Sequence, residues 1–317
     1  MPKRDIKKNN INEKQERVIW LFKDGKSGHE SQAEGLASSL ERLKPTEVYS
    51  VKLQKPLHRS LLSLIFKRNA QSIPWASFPK PDLIIGAGHR THLWLLAAQL
   101  FVGGKTVLMM KPTLPAWLYN LVLIPSHDKP ASSANIIETQ GVLNKIISTG
   151  DRINDRGLIL LGGLSQHYHW DSHSIIQQIN RLIEDNPNIK WEMTTSRRTP
   201  AETEELLSKL SAKNLSFTPN EATDASWVSN RLKIASRVWV TVDSVSMVYE
   251  AITSGAEVGL LSLESSSSKS RVAAAIEDLK QQKIVLTDTH LAEDYSRTEE
   301  VFNEADRCAL LIVKKFF

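Results

Sequence analysis

Cysteine is nearly absent from these 317 residues. The single Cys308 excludes an internal disulfide and agrees with a reducing compartment. No apolar run approaches the ~20 residues that cross a bilayer as a helix. The first ten residues are basic but carry no apolar stretch of the secretory kind, and acids at Asp5, Glu13 and Glu16 are foreign to transit peptides. Residues 1–16 are expected to be a disordered tail. Asp-x-Asp motifs and cysteine clusters are missing, so no metal site and no bound cofactor is expected. Zinc-finger, RRM and helix-turn-helix patterns are missing as well, which argues against a nucleic-acid partner despite a net charge of +5.

What is there divides into unequal halves. Residues 1–150 hold 21 Lys and Arg against 11 Asp and Glu, and residues 151–317 hold 19 against 24. The first half should be drawn to anionic surfaces and the second should not. Hydrophobic residues make up 41%, enough for two moderate cores in a chain of this length. The spacing of apolar residues predicts strand and helix in alternation. Strands fall at 18–22, 47–51, 83–85, 106–110 and 121–124, with helices at 30–43, 57–66 and 91–101. The pattern restarts with strands at 158–161, 189–193, 215–218, 238–242 and 258–261, and helices at 174–184 and 200–210. Such alternation implies βαβ units and parallel sheets. The polar stretch 144–157 reads as a linker, which gives domains 17–150 and 151–317. Residues 265–268 read as a polar loop.

The most informative stretch is 241–251. A short apolar strand runs into Asp243-Ser244, two side-chain acceptors suited to capping a helix, and a helical pattern continues to Gly255. The open amides at such a helix start, around Ser244, Val245 and Ser246, favour an anion. Glu250 lies one turn beyond Ser246 and about 6–9 Å from those amides, the step from a diphosphate to a ribose diol. The competing reading is a capped helix with a solvated acid.

Here the sequence resembles the family named after a plant mitochondrial-fission factor, whose bacterial branch is read as glycosyltransferases of the lipopolysaccharide-core type. The resemblance is carried by Asp24-Gly25-Lys26-Ser27-Gly28-His29-Glu30-Ser31-Gln32, Gly86-Ala87-Gly88-His89-Arg90-Thr91 and Ser126-His127-Asp128. It continues in Leu161-Gly162-Gly163-Leu164-Ser165, Thr195-Ser196-Arg197-Arg198-Thr199-Pro200 and Asp243-Ser244-Val245-Ser246-Met247. The resemblance implies a GT-B architecture: α/β, with two Rossmann-like domains facing a cleft and a nucleotide sugar held by the second. It implies Glu250 on the ribose, and Gly162, Gly163 and Ser165 on the diphosphate. It also implies metal-independent transfer of a sugar to a lipid-linked or lipopolysaccharide-core acceptor at the cytoplasmic face of the inner membrane. The fission name reflects a eukaryotic branch. Rival readings are a non-hydrolysing nucleotide-sugar 2-epimerase and a non-catalytic membrane-associated adaptor.

Other candidates sit at predicted strand ends, where open α/β sheets bind ligands. Ser27, Gly28 and His29 open a helix after the first strand, and His29 is either a polar first-turn residue lining the cleft or the candidate general base, since imidazole exchanges protons near neutral pH. Gly88, His89 and Arg90 repeat the strand-glycine-helix device. They suit either a phosphate of the acceptor or donor, or a tight turn with a surface arginine. His127 follows another strand. Arg197 and Arg198 suit phosphate recognition or ion pairing with nearby glutamates. Two apolar-basic segments, 57–68 and 310–317, suit either an anionic membrane surface or core packing, and for the second packing is preferred.

Overall fold

The computed structural model describes residues 16–53, 75, 77–267, 270–287 and 302–317. The first lobe starts with β1 (Arg17–Lys23), α1 (Ser27–Leu43) and β2 (Thr46–Lys52). It continues with β3 (Leu83–Ala87), α2 (His92–Phe101), β4 (Lys105–Met109), β5 (Leu121–Pro125) and β6 (Ile136–Thr139). The strands form a parallel sheet in the order β2-β1-β3-β4-β5-β6. Both faces of β1 are buried, and its apolar run serves both. Ile19 and Leu21 join one core with Leu36 and Leu40 of α1, while Trp20 and Phe22 join the other with Trp75 and with Trp94 of α2. Continuous apolar strands of this kind suit a parallel sheet covered on both sides.

The second lobe comprises β7 (Ile153–Leu160), β8 (Tyr168–His169), α3 (Ser172–Asp185), β9 (Lys190–Thr194), α4 (Ala201–Ser208) and β10 (Leu215–Thr218). It continues with α5 (Trp227–Ile234), β11 (Ala235–Thr241), α6 (Val245–Ser254), β12 (Glu257–Leu261), β13 (Glu264–Ser265) and α7 (Arg271–Gln281). Its parallel sheet has the order β10-β9-β7-β11-β12, and β13 pairs antiparallel with β8 at the side. The final helix, α8 (Glu304–Phe316), returns to the first lobe and lies along α1. Its buried stripe of Ala305, Cys308, Ala309 and Ile312 completes the core that holds Ile19 and Leu36. An ion pair between Arg42 and Asp306 fastens the two helices.

Each sheet reverses direction once. In the first, β1 is followed outward by β2 on one side and by β3 on the other. In the second, β7 leads to β9 on one side and lies beside β11 on the other. At such switch points the neighbouring crossovers leave in opposite directions and open a crevice outside the carboxyl ends of the strands. The crevices therefore lie beyond β1 and β3 in one lobe, and beyond β7 and β11 in the other.

Between the lobes, residues 140–152 are strapped down on both sides. Asn144 donates to the Tyr249 carbonyl (3.3 Å) and to Thr253 Oγ1 (2.9 Å), and Arg152 donates to the Ser254 carbonyl (2.9 Å). The Gln140 amide donates to Glu304 of α8 (2.9 Å).

Several sequence expectations need revision. The stretch 144–157 is not all linker, because β7 begins at Ile153; Asn154, Asp155 and Arg156 follow it, exposed or half-buried, and these three polar residues interrupt the apolar pattern. The strand expected over 106–110 ends at Met109, since Met110 turns to a φ of 75°. Within 265–268, Ser265 belongs to β13. The elements β6, of 4 residues, and α5, of 8, were not anticipated, being too short for a periodic pattern to stand out. The expected helix 57–66 lies outside the described residues.

Candidate functional site

The first crevice is built by two glycine loops that interlock. After β1, Gly25 takes a φ of 87° and turns the chain into α1. The Gly25 amide donates to Glu30 Oε1 (3.0 Å), which anchors the helix start. His29 therefore stands in the first turn of α1, and its Nδ1 lies 2.8 Å from Asp24 Oδ2. Asp24 is buried, at 3% exposure, and its other oxygen accepts the Lys26 amide (3.0 Å). A carboxylate only accepts, so the imidazole proton belongs on Nδ1 and the Nε2 lone pair is left open. Ser27 and Gly28 are exposed beside it.

The loop after β3 forms the seat. Gly88 has a φ of 85°, and any side chain there would run into the His29 ring and Asp24. This is why glycine stands at a strand end otherwise rich in bulky residues. Arg90 does not reach outward for a phosphate. Its guanidinium donates to the carbonyls of Asp24 (2.9 Å) and Leu53 (3.1 Å), so it braces the turn that carries Asp24. His89 is exposed, with its ring 5.4 Å from that of His92. Burial, and secondarily His89, lowers the pKa of His92 to about 4, so His92 is neutral at ordinary pH. His127 lies in the turn Ser126–Asp128 after β5. Three strand spacings separate β5 from β1, about 14 Å, so His127 does not join the His29 pair.

The second crevice is tighter than the sequence suggests. The Gly162 amide donates to Thr241 Oγ1 (2.7 Å), and the Gly163 amide donates to Asp243 Oδ2 (2.9 Å). The Gly162 carbonyl accepts from Ser196 and Thr199. Neither glycine amide is free to hold a diphosphate; the glycines are there because Asp243 and the Arg198 backbone fill the space a side chain would need. Ser165 Oγ accepts the amides of His167 and Tyr168 (3.3 Å each), which leaves its hydroxyl proton for a ligand.

The arginine pair divides. Arg198 donates to Asp243 Oδ2 (2.9 Å) and to the Leu164 carbonyl (2.9 Å), acting as a strut that neutralises a fully buried carboxylate. Arg197 is exposed and has no partner among the described residues. Asp243 and Ser244 do not cap α6 as expected; Ser244 takes the cap position without a side-chain hydrogen bond, because Asp243 is turned inward to Gly163. The amides of Val245, Ser246 and Met247 stay open at the helix start.

Glu250 is half-buried rather than a solvated acid, and desolvation raises its pKa to about 7 against the opposing pull of Lys145. Lys145 also approaches Glu34 of α1 at 3.8 Å. A cavity of about 350 Å³ opens between the lobes nearby, walled by Ser126 and Gln140 on one side and by Tyr249, Asp278 and Phe302 on the other. Among the described residues no group of three His, Cys, Asp or Glu is arranged to hold a metal. His169 and His173 have the i, i+4 spacing of a ligand pair, but one lies on β8 and the other on α3.

Sequence reasoning quoted Asp24 within a motif and gave it no role. The available signal was an acid at a strand end, five residues before a histidine in the first turn of the next helix.

Two Rossmann-like lobes with parallel sheets facing a shared cleft define the GT-B class of fold. Within that class the chain belongs to the Mitochondrial fission ELM1 family, whose sequence profile matches residues 27–316. It is 26% identical over 348 residues to Uncharacterized protein RP120 of Rickettsia prowazekii (strain Madrid E), covering 93% of this chain and 97% of that one. Among solved structures it resembles the UDP-GlcNAc 2-epimerase of Neisseria meningitidis bound to UDP-GlcNAc, with a TM-score of 0.56 and 13% identity over 94% of this chain and 98% of the other. It also resembles MurG of Acinetobacter baumannii, with a TM-score of 0.53 and 13% identity over 94% and 99%. At such identities the likeness shows the fold.

Proposed function

We propose that this chain is a glycosyltransferase that moves a sugar from a nucleotide diphosphate sugar to an acceptor hydroxyl. The observation that carries the reading is the Asp24–His29 pair at the β1/β3 switch point, in a fold whose second switch point presents an uncapped helix start. In this reaction the acceptor hydroxyl gives its proton to His29 Nε2 as its oxygen bonds to the anomeric carbon. The bond from that carbon to the diphosphate breaks, and the leaving diphosphate takes the electron pair. Asp24 keeps the imidazole in the tautomer that accepts and offsets its positive charge once protonated. The amides of Val245, Ser246 and Met247, with Arg197, meet the charge that develops on the leaving group. Glu250 accepts from the ribose hydroxyls. No step needs a metal.

The acceptor we favour is lipid-linked or of the lipopolysaccharide-core kind, reached at the cytoplasmic face of the inner membrane. The basic first lobe supports this reading. The test is to incubate the protein with a panel of nucleotide sugars and a membrane lipid extract, then measure nucleoside diphosphate release and analyse the products. Release that depends on the extract and is lost in His29→Ala supports transfer. Conversion of the donor to its 2-epimer would replace transfer with epimerisation. Donor binding without turnover would make the chain an adaptor.

A further inference from the structure

The outer face of α2 carries Leu93, Leu96, Leu100 and Phe101, spaced i, i+3, i+7 and i+8 along one side of the helix. Leu93 is 52% exposed, Leu100 79% and Phe101 48%. The chain between β4 and β5 runs beside this helix. His92 Nδ1 lies 3.1 Å from Thr113 Oγ1, and Gln99 donates to Asn120 Oδ1 (2.9 Å). On that chain Leu114 and Leu118 turn inward to the core, and Trp117 between them stands 76% exposed. An apolar ridge therefore crosses the surface of the first lobe where nothing in the chain covers it among the described residues. Exposed apolar surface of this kind needs a partner.

Charge identifies the partner. Among the described residues from Val48 to Asp128 there are five Lys and Arg, Lys52, Lys80, Arg90, Lys105 and Lys111, against two acids, Asp82 and Asp128. Asp82 is taken up by Arg17 (3.2 Å) and by the Val18 amide (2.9 Å), and Lys111 Nζ donates to the Asp128 carbonyl (3.4 Å). Lys80 lies over Gly103 at the end of α2, Lys105 opens β4, and Lys111 follows β4. We propose that the ridge of Leu93, Leu100, Phe101 and Trp117, with Lys80 beside the end of α2 and Lys105 and Lys111 at the two ends of β4, seats this protein on an anionic lipid bilayer. Leu and aromatic side chains enter the headgroup boundary while lysines meet the lipid charge. A second copy is the poorer occupant, because a two-fold contact through this face would bring two sets of these lysines together. Leu93 lies in the first turn of α2 at the carboxyl edge of the sheet, so seating the ridge sets the mouth of the His29 crevice beside the lipid surface. The proposal rests on the transferase reading only for what it says of the acceptor's location.

The test is co-sedimentation of the full chain with phosphatidylcholine vesicles, with and without phosphatidylglycerol. Recruitment to the anionic vesicles alone is expected, with release by salt. The exposed double variant Leu100→Ser/Trp117→Ser should bind roughly tenfold or more weakly at an unchanged melting temperature. Lys105→Glu/Lys111→Glu should do the same through charge. Equal binding to both vesicles, or variants that sediment like the parent, would overturn the surface. So would a parent that ignores vesicles and forms a dimer broken by Trp117→Ser. Recruitment without sugar transfer overturns the transferase and keeps the surface; transfer to a soluble acceptor without recruitment does the reverse.

Discussion

The imidazole of His29 occupies the space that a side chain on Gly88 would fill, so the loop after β3 exists to let the ring reach Asp24. Gly88→Ala should displace the ring and also strain a backbone with φ 85° and ψ 158°, a region essentially reserved for glycine, at a cost on the order of 1–3 kcal/mol. Turnover should collapse while nucleotide affinity, which belongs to the other lobe, is kept. Calorimetry beside a rate assay separates the two; equal loss of both would mean that the loop serves donor binding.

Asp24→Asn should be nearly as damaging as His29→Ala, with turnover down roughly 10²–10⁴-fold and donor affinity unchanged. An asparagine can present its amide hydrogens to Nδ1 and so favour the wrong tautomer. If the double variant is no slower than either single one, the two residues act as one unit.

Glu250 gives a pH prediction with a definite sign. Its carboxyl is raised from 4.5 to about 7 by burial, so between those values the folded state keeps a proton that the unfolded chain releases. The neutral group's contribution to stability is present below about pH 4.5 and is lost as pH rises through 7. Glu250→Gln should therefore melt higher than the parent at pH 8, by roughly a few degrees, and alike at pH 4.5. Nucleotide affinity should move oppositely, falling in the parent as the carboxylate is protonated and staying weak and flat in the variant. A parent whose affinity ignores pH between 5 and 8 would remove Glu250 from the ribose.

Arg198→Ala strands the fully buried carboxylate of Asp243 with the Gly163 amide as its remaining partner. A loss on the order of 1–3 kcal/mol is expected. Adding Asp243→Asn should recover much of it, because the uncompensated charge is gone. Thermal denaturation of the single and double variants reads this directly. A double variant weaker than Arg198→Ala would show that the charge itself is needed.

The fold was legible where strands are apolar on both faces. β1, β3, β5 and β11 stood out because Val, Ile, Leu and Trp run without interruption, and the glycines and polar residues after them marked the crevices. What sequence could not show was the direction of polar groups. The family resemblance put Gly162 and Gly163 on a diphosphate, yet what approaches them is Asp243 and the Arg198 backbone. Asp243 looked like a cap because acids favour helix starts, yet burial against Gly163 and Arg198 outweighs one capping bond. Arg90 and Arg198 looked like phosphate ligands because arginine is the common one, and both spend their donors on carbonyls or a carboxylate of this chain. Asp24 was overlooked because its partner is made across a turn. These are outcomes of three-dimensional competition, which a linear pattern does not encode.

The return of α8 to the first lobe reverses the order in which the protein can be finished. Strands β1 to β6 are synthesised before the second lobe, yet the stripe of Ala305, Cys308, Ala309 and Ile312 that closes their core arrives only after it, with Glu304–Phe316. The acidic second lobe has no such debt to later sequence and can consolidate while the first still exposes Ile19, Leu36 and Leu40. Released chains truncated before Glu304 should accordingly protect the later-made lobe from protease and leave the earlier-made one open.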